Sequence, residues 1–367
     1  MTTVASSKYK GRLHEMTRTT PTALWNDSSS IQELTWSIEQ GAVGATCNPV
    51  IVVEVLKKEM HLWKDSILSL IGAMPTATEE QIAWQLVEEM TRKAAALLKP
   101  IFDAHQGKNG RLSVQTDPRL YRNPEAIVAQ AERFSRLAPN IIVKIPATAA
   151  GIAAIEEATY RGITINATVC FSLPQCLAVA EAVERGFRRR EQEAQDIASM
   201  GSVCTIMVGR LDDWLKVAAE QQAISVDPGV LEWAGVAVFK KTYRIFKERG
   251  YRLRLLSAAF RNHMHWSEFI GGDVVISPPY KWQQRFNASD VEVAPRIDRP
   301  VDAAVVAALM KFPDFVRAFT EDGLAVEEFD TFPPTRRTLR QFIGACHDLD
   351  AQIRDLMLPN PDDPAKA

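Results

Sequence analysis

The stretch Asn140-Ile141-Ile142-Val143-Lys144-Ile145-Pro146-Ala147-Thr148 places one lysine inside a run of apolar, mostly β-branched residues. Such a run predicts a buried strand. Burial disfavours the charged form of an amine, and a neutral amine is able to condense with a ketone or aldehyde to a Schiff base. The alternative is a structural lysine that reaches solvent past the strand end or pairs with a carboxylate of a neighbouring loop.

Seven other strand-like runs surround this one, and a segment rich in helix-forming residues follows each run. The eight predicted strands are Thr22–Asp27, Gly44–Asn48, Arg111–Asp117, Asn140–Ala147, Thr164–Cys170, Val203–Val208, Arg252–Ala259 and Asp273–Ser277. Eight β/α repeats favour a closed parallel (β/α)8 barrel over a doubly wound sheet. The first strand is not followed by Gly-x-Gly-x-x-Gly, which also argues against a dinucleotide-binding fold.

Helical patterns outside the repeats predict additions to this barrel. Trp63–Leu70 and Glu79–Asp103 indicate extra helices between the second and third strands, and Thr335–Leu356 indicates another at the C-terminal end. The fold class is therefore α/β, a TIM-type barrel with extra helices. We expect three segments: an N-terminal lead-in over 1–20, a single barrel domain over 21–357 and a flexible tail over 358–367.

Composition excludes several classes of protein. The chain has 367 residues, of which 46% are hydrophobic and 24% charged, and its formal net charge is −2. This balance is ordinary for a globular protein and lacks the basic excess that nucleic-acid binding favours. No stretch approaches the ~20 consecutive apolar residues of a membrane span. Met1–Thr20 has no apolar core of the signal-peptide kind, so we expect a cytoplasmic protein.

The cysteines and histidines predict neither a disulfide framework nor a metal site. The five cysteines are odd in number and lie mostly in apolar segments, as expected for small buried residues in a reducing compartment: Cys47, Cys170, Cys176, Cys204 and Cys346. Cys170 and Cys176 lack metal-type spacing. His263 and His265 are two apart, but no second ligand pair follows them.

Polar residues recur at alternate positions of several predicted strands. Alternate residues of a barrel strand face the interior, and barrel enzymes keep their chemistry at the C-terminal strand ends. We therefore expect a polar site at that end of the barrel. The sets that share a face are Thr164, Asn166 and Thr168; Ser113, Gln115 and Asp117; and Ser257, Ala259 and Arg261.

Four further residues follow strands, and each has two interpretations. Asp27 is either a carboxylate that moves protons beside the amine or a turn and helix-cap residue. Asn48 caps a helix that Pro49 begins, and its side chain is also placed to touch substrate. Arg210 and Arg261 form either a phosphate clamp or surface ion pairs with Asp212, Asp213 or Glu268.

These residues together resemble the transaldolases, Schiff-base barrel enzymes of the pentose phosphate pathway. The similarity runs from about Thr22 to Ser277 in matching order. Six motifs carry it: Gly44-Ala45-Thr46-Cys47-Asn48-Pro49, Asp117-Pro118-Arg119-Leu120, Val143-Lys144-Ile145-Pro146-Ala147-Thr148, Gly162-Ile163-Thr164-Ile165-Asn166-Ala167-Thr168, Val208-Gly209-Arg210 and Phe260-Arg261-Asn262.

The resemblance implies a role for each matching residue. Lys144 would form the Schiff base with a ketose, Asp27 would assist proton transfer at the donor hydroxyl, and Thr168 would help to hold a catalytic water. The implied substrate-binding residues are Thr46, Asn48, Asn166 and Thr205, with Arg210 and Arg261 gripping the phosphate. The resemblance further implies sugar phosphate substrates, no cofactor or metal, and a possible homodimer.

Three positions depart from the pattern. Gln115 stands where transaldolases commonly have Glu, and an amide cannot exchange a proton at neutral pH. We keep Gln115 in the catalytic set by its position, with Asp27 and a water held by Thr168 moving the protons. A Gln there resembles the fructose 6-phosphate aldolases, but those enzymes use a Tyr where this chain has Met207. Ala259 replaces a phosphate-contacting Ser, a loss of about 0.5–1.5 kcal/mol.

The sequence thus favours a transaldolase that transfers a three-carbon dihydroxyacetone unit from sedoheptulose 7-phosphate or fructose 6-phosphate to an aldose phosphate. Two alternatives stay open at this stage. One is an aldolase of the fructose 6-phosphate type that releases free dihydroxyacetone. The other is a sugar-phosphate-binding protein without catalysis, which the missing Glu and Ser would suit; an unused lysine in an apolar strand argues against it.

Overall fold

Eight parallel strands close into a barrel in the computed structural model, which describes residues 8–362. The strands are β1 (Ala23–Asn26), β2 (Ala42–Thr46), β3 (Arg111–Gln115), β4 (Ile141–Pro146), β5 (Ile165–Cys170), β6 (Val203–Met207), β7 (Arg254–Ala258) and β8 (Val275–Ile276). They run in chain order around the barrel, and β8 pairs with β1 to close it. The predicted (β/α)8 barrel is confirmed, and all eight predicted strands are present within two residues at each end.

Helices surround the barrel and follow its strands. The α-helices are α1 (Arg12–Thr19), α2 (Ile31–Glu39), α3 (Pro49–Ala73), α4 (Glu79–Ala104), α5 (Pro124–Ser135), α6 (Ala149–Tyr160), α7 (Leu173–Gln192), α8 (Val208–Gln221), α9 (Pro228–Leu231), α10 (Ala234–Arg249), α11 (Met264–Ser267), α12 (Tyr280–Asn287), α13 (Ala303–Leu309), α14 (Pro313–Phe319) and α15 (Pro333–Met357). Short 3-10 helices span Pro118–Leu120 and Val326–Thr331. None of the helices within residues 8–362 combines the length and apolarity that crossing a membrane requires.

The extra helices lie where the sequence predicts them. Between β2 and β3 the chain forms α3 and α4, and α15 packs against both. The segments Pro49–Glu59 and Trp63–Leu70 belong to one helix, which bends at Glu59, where φ is −117°. The Glu59 carboxylate accepts a hydrogen bond from Ser30 Oγ at 2.5 Å, which ties the bend to the start of α2. Of the predicted tail, residues 363–367 lie outside the described part of the chain.

An apolar layer contributed by β1, β4, β6, β7 and β8 fills part of the barrel interior. Its members are buried and in mutual contact: Ala23, Trp25, Ile142, Val203, Leu256, Ala258 and Val275. These residues alternate along their strands with outward-facing residues that pack under the helices, as barrel geometry requires. The polar interior positions lie on β3, β4, β5 and β6, and at β7 the apolar layer itself reaches the C-terminal end of the strand through Ala258.

The β7 strand differs from the prediction that Ser257, Ala259 and Arg261 share an inward face. Leu256 and Ala258 face the interior, and Ser257 points outward and donates a hydrogen bond to the backbone oxygen of His265 at 3.0 Å. Ala259 has a left-handed φ of 64°, which breaks the strand alternation directly after β7. Ala259 and Arg261 thereby reach the barrel mouth without Ser257.

All five cysteines are buried and free, as predicted from their apolar surroundings. The Sγ atoms of Cys170 and Cys176 are 3.4 Å apart, and the thiol of Cys204 in β6 lies in the same cluster, with all three ligand atoms within 4.8 Å of one another. Sequence spacing did not indicate this cluster because its third member comes from a neighbouring strand.

Replacing Gly44 with alanine is expected to destabilise the fold by about 1–3 kcal/mol, as overpacking does. A Cβ at Gly44 would lie 2.4 Å from the Trp25 ring, and this ring is buried in the apolar layer and cannot move away freely. Urea denaturation measures the change. Gly72→Ala is the matched control, because a Cβ there meets nothing within 4 Å and alanine favours the helix. Equal stabilities of the two variants would contradict this packing.

Candidate active site

Lys144 lies in the middle of β4 and its side chain is 2% exposed. Its strand neighbours in register are Gln115 in β3 and Asn166 in β5. The residue lines a cavity of about 570 Å³ at the mouth of the barrel. Burial lowers the pKa of Lys144, and the nearby Asp27 carboxyl opposes this shift without reversing it. The predicted strand lysine is therefore a buried amine that faces a cavity of sugar-phosphate size.

Asp27 follows β1 and lines the same cavity. Its Oδ1 accepts a hydrogen bond from Thr46 Oγ1 at 2.5 Å, and Ser277 Oγ lies 2.9 Å from the Thr46 hydroxyl. Because Thr46 donates its only proton to Asp27, Ser277 donates to Thr46. Burial raises the pKa of Asp27, while Lys144 and the Thr46 hydrogen bond act in the opposite direction. The helix-cap interpretation does not apply, since Ser30 caps α2 by accepting from Glu33 N–H.

A chain of hydrogen bonds beside the amine links side chains of β3, β5 and β6. Asn166 Nδ2 donates to Ser113 Oγ at 2.9 Å, and Thr205 Oγ1 donates to Asn166 Oδ1 at 2.7 Å. All three side chains have no solvent exposure. These two bonds fix the orientation of the Asn166 amide, which keeps one further N–H to offer.

Thr168 and Gln115 are buried, and their side chains have few hydrogen-bond partners in the protein. Thr168 Oγ1 has a sulfur partner, Met207 Sδ, at 3.9 Å. Neither the oxygen nor the nitrogen of the Gln115 amide has a hydrogen-bond partner among residues 8–362. Buried amides are nearly always paired, so this unpaired donor and acceptor are an exception that a bound polar group would remove.

The two arginines line the same cavity, and their environments differ. Arg210, at the start of α8, is mostly buried, and its Nε has no partner within the described chain. Burial and the nearby Arg261 lower the pKa of Arg210 to about 10. Arg261 is more exposed and forms the ion pair with Asp213 that the sequence left open, with Nη2 2.7 Å from Oδ2. An anion at the cavity wall would satisfy the unpaired donor of Arg210.

Asn48 has the structural role predicted for it. Its side chain caps α3 by accepting a hydrogen bond from Ile51 N–H at 3.1 Å, and Pro49 follows at the first helical position. Asn48 also lines the mouth cavity, so the capping residue is placed to touch a ligand.

The structure places part of the predicted site residues on the wall of the mouth cavity and buries the others. Asp27, Asn48, Lys144, Arg210 and Arg261 line the cavity directly. Thr46, Gln115, Asn166, Thr168 and Thr205 are buried residues of β2, β3, β5 and β6 that are not part of the cavity wall.

Several cavity residues were not found from the sequence. Tyr280, Lys281, Trp282 and Arg285 come from α12, the helix that follows β8, and Phe342 comes from α15. The α12 residues could have been found, because helices that follow barrel strands begin at the catalytic end. Phe342 had no such signal; its ring lies 5.7 Å from the Arg210 guanidinium carbon only because α15 folds back over the mouth.

The chain matches a family model described as Transaldolase/Fructose-6-phosphate aldolase over residues 24–331. Three similar curated proteins are Transaldolase 2 of Streptomyces avermitilis, Transaldolase 2 of Streptomyces coelicolor and Transaldolase of Kocuria rhizophila. The first is 35% identical over 52% of each chain, the second 31% over 62% of each, and the third 29% over 62% of this chain and 63% of that relative. The matches thus span about half to three fifths of the length of these relatives, from 52% to 63%.

Proposed function

The chain belongs to the transaldolase/fructose-6-phosphate aldolase family, and on that premise we propose that it transfers a three-carbon dihydroxyacetone unit between sugar phosphates. The donor is sedoheptulose 7-phosphate or fructose 6-phosphate, and the acceptor is an aldose phosphate. The single observation that carries this proposal is the buried amine of Lys144, which faces the mouth cavity with Asp27 beside it.

Lys144 acts as the nucleophile in this mechanism. Its neutral amine adds to the C2 carbonyl of the ketose, and loss of water gives an iminium. Asp27 then takes the proton of the C4 hydroxyl as the C3–C4 bond breaks, and the electron pair of that bond moves into the iminium to form an enamine. The cleaved aldose leaves, the enamine carbon attacks the aldehyde carbon of the acceptor, and Asp27 returns its proton to the new alkoxide. Water then hydrolyses the resulting iminium and releases the new ketose from Lys144.

The polar residues near the amine fit the remaining parts of a sugar phosphate. Asn48, Asn166 and Thr46 supply hydrogen-bonding groups for hydroxyls, and Thr205 holds the Asn166 amide in place. Arg210 and Arg261 bind the phosphate, which suits the buried and unpaired Nε of Arg210. Thr168 helps to hold the water that shuttles protons, together with Gln115.

Gln115→Glu is expected to raise transfer activity by about tenfold or more if proton shuttling limits the reaction. The amide is buried and unpartnered next to Lys144 in register, so a carboxyl there would be placed to exchange protons. Initial rates with fructose 6-phosphate and an aldose phosphate measure the change. Gln130→Glu is the control, because the Gln130 side-chain oxygen accepts from Asp117 N–H at 2.7 Å, as a carboxylate also can, and Gln130 does not line the mouth cavity. An unchanged or lower rate for Gln115→Glu would refute this explanation of the shuttle.

A second candidate function is the release of free dihydroxyacetone by an aldolase of the fructose 6-phosphate type. Gln115 favours it, since the resemblance to those aldolases rests on a Gln at this position. Met207 in place of their Tyr argues for the transferase. A ketose incubated without any aldose distinguishes the two, because only the aldolase then turns over.

Borohydride reduction in the presence of fructose 6-phosphate, followed by mass spectrometry of the intact chain and its peptides, tests the proposal. The reductant converts a Schiff base to a stable amine, so a three-carbon adduct on Lys144 is expected. A sugar-phosphate-binding protein without catalysis would leave the chain unmodified, and this result would refute the proposed activity. The pentose phosphate pathway role, the cytoplasmic location and the homodimer stay predictions.

A further inference from the structure

A buried pair, Asp212 and His265, joins the two segments that carry the mouth arginines. Asp212 lies in α8 two residues after Arg210, and His265 lies in α11 four residues after Arg261. His265 Nε2 is 2.8 Å from Asp212 Oδ2, and both side chains have no exposure. The other Asp212 oxygen accepts a hydrogen bond from Gly235 N–H at 2.8 Å, so the carboxylate is bound on both sides.

The second nitrogen of the His265 ring holds the backbone of Arg261. Nδ1 accepts a hydrogen bond from Arg261 N–H at 3.1 Å. A nitrogen that accepts carries no proton, so the proton of the neutral ring lies on Nε2 and is donated to Asp212. The two nitrogens of the ring thus connect the Asp212 carboxylate to the main chain of Arg261.

Contacts around this pair bring the two segments close together. The Arg261 guanidinium binds Asp213, the residue after Asp212, with Nε 2.9 Å from Oδ2. A Cβ at Gly209 would lie 2.1 Å from the Ala259 carbonyl oxygen and 2.6 Å from Arg261 Cγ, so only glycine fits before Arg210. A small movement of one segment therefore changes the separation of the two guanidinium groups.

We propose that Asp212 and His265 are positioning residues that set the geometry of Arg210 and Arg261 and thereby the selectivity for phosphorylated over unphosphorylated ketoses. This inference rests on the proposed function. Neither side chain lines the mouth cavity, so both act through the arginines rather than on the sugar. The chemistry concerned is recognition of a phosphate monoester by a pair of guanidinium groups whose spacing must match its oxygens.

Asp212→Asn tests the inference with an isosteric change. An amide nitrogen in place of Oδ2 would donate to His265 Nε2, which would force the ring proton onto Nδ1. The ring would then no longer accept the Arg261 N–H, and the Arg261 segment would lose its anchor. We expect kcat/KM for fructose 6-phosphate to fall by about tenfold to 100-fold, mainly through KM, and kcat/KM for unphosphorylated fructose to stay nearly constant.

Two substitutions of His265 separate its two hydrogen bonds. His265→Asn keeps an acceptor near the Nδ1 position and should retain most of the selectivity for the phosphorylated sugar. His265→Gln keeps a donor near Nε2 but loses the acceptor for Arg261 N–H, so it should lose the selectivity as Asp212→Asn does. Thermal unfolding of each variant measures the effect on stability in parallel.

The outcomes distinguish this inference from the proposed function. If wild-type protein gives no borohydride adduct with either sugar, the proposed function fails and this inference fails with it. If wild type reacts but Asp212→Asn and His265→Gln keep its preference for fructose 6-phosphate, only the inference fails. Equal losses with both sugars in these variants would also overturn it, because they would indicate a purely structural role.

Discussion

Lys144→Met abolishes turnover and the borohydride-trapped adduct, with an expected fall in rate of about 10⁴-fold or more. Methionine is unbranched and apolar and suits a site where the lysine side chain is 2% exposed, so the barrel should stay folded. Without the amine, no covalent bond to the ketose carbonyl is available, and sugar binding alone does not break a carbon–carbon bond. The rate of transfer from donor to acceptor measures turnover, and circular dichroism measures whether the barrel stays folded.

Lys241→Met is the matched control for this experiment. Burial lowers the pKa of Lys241 as well, but its amine donates to the Phe319 backbone oxygen outside the barrel. This variant should keep both turnover and adduct formation, since Lys241 lines a separate cavity that contains neither Asp27 nor Lys144. Residual turnover of Lys144→Met near the wild-type rate would show that another group carries the reaction.

Asp27→Asn is expected to reduce kcat by about 10²–10⁴-fold, the usual contribution of a positioned acid or base. The amide oxygen can still accept the hydrogen bond from Thr46 that is 2.5 Å long in the wild type, so the local structure should be retained. The variant should still form the Schiff base, because that step depends mainly on Lys144. We therefore expect slow cleavage of the ketose, with the Schiff base on Lys144 still trapped by borohydride.

The same substitution should shift the pH dependence of adduct formation. The Asp27 carboxylate stabilises the charged form of Lys144 and so raises its pKa, against the larger effect of burial. Removing this charge lowers the pKa of Lys144 further, and the acidic limb of the pH–rate profile should move to lower pH. Asp350→Asn is the control, since burial also raises the pKa of Asp350, which pairs with Arg119 away from the mouth. A shift in the opposite direction would contradict the assigned interaction.

Much of the barrel was predictable because each strand carries its own local signal. The apolar run around Lys144 and the alternation in Thr164–Cys170 are patterns of period two that burial in a barrel strand requires. Asn48 and Pro49 mark the start of α3 through capping chemistry that acts over three residues. Lys144, Asp27 and Arg210 were found for the same reason, since each follows or interrupts such a strand.

Features that depend on tertiary contacts could not be predicted. The left-handed backbone at Ala259, with φ 64°, breaks the strand alternation after β7 and separates Ala259 from Ser257, and nothing in an alanine indicates that conformation. Likewise, the choice of Asp213 over Asp212 or Glu268 as partner of Arg261 follows from the burial of Asp212 against His265. Glu268 forms an ion pair with Lys240, with Nζ 2.6 Å from Oε2, so it is not the partner of Arg261.

The apolar layer around Trp25 bears on how readily the proposed sugar preference could be altered. Its seven members come from β1, β4, β6, β7 and β8, so these strands contact one another through side chains other than the polar residues of the site. Laboratory evolution of the donor site would have to exchange Ser113, Asn166 and Thr205 together, because a single change leaves a buried hydrogen-bond partner unsatisfied. Exchanging the three together would change the hydrogen-bonding groups near Lys144 and leave the apolar layer unchanged.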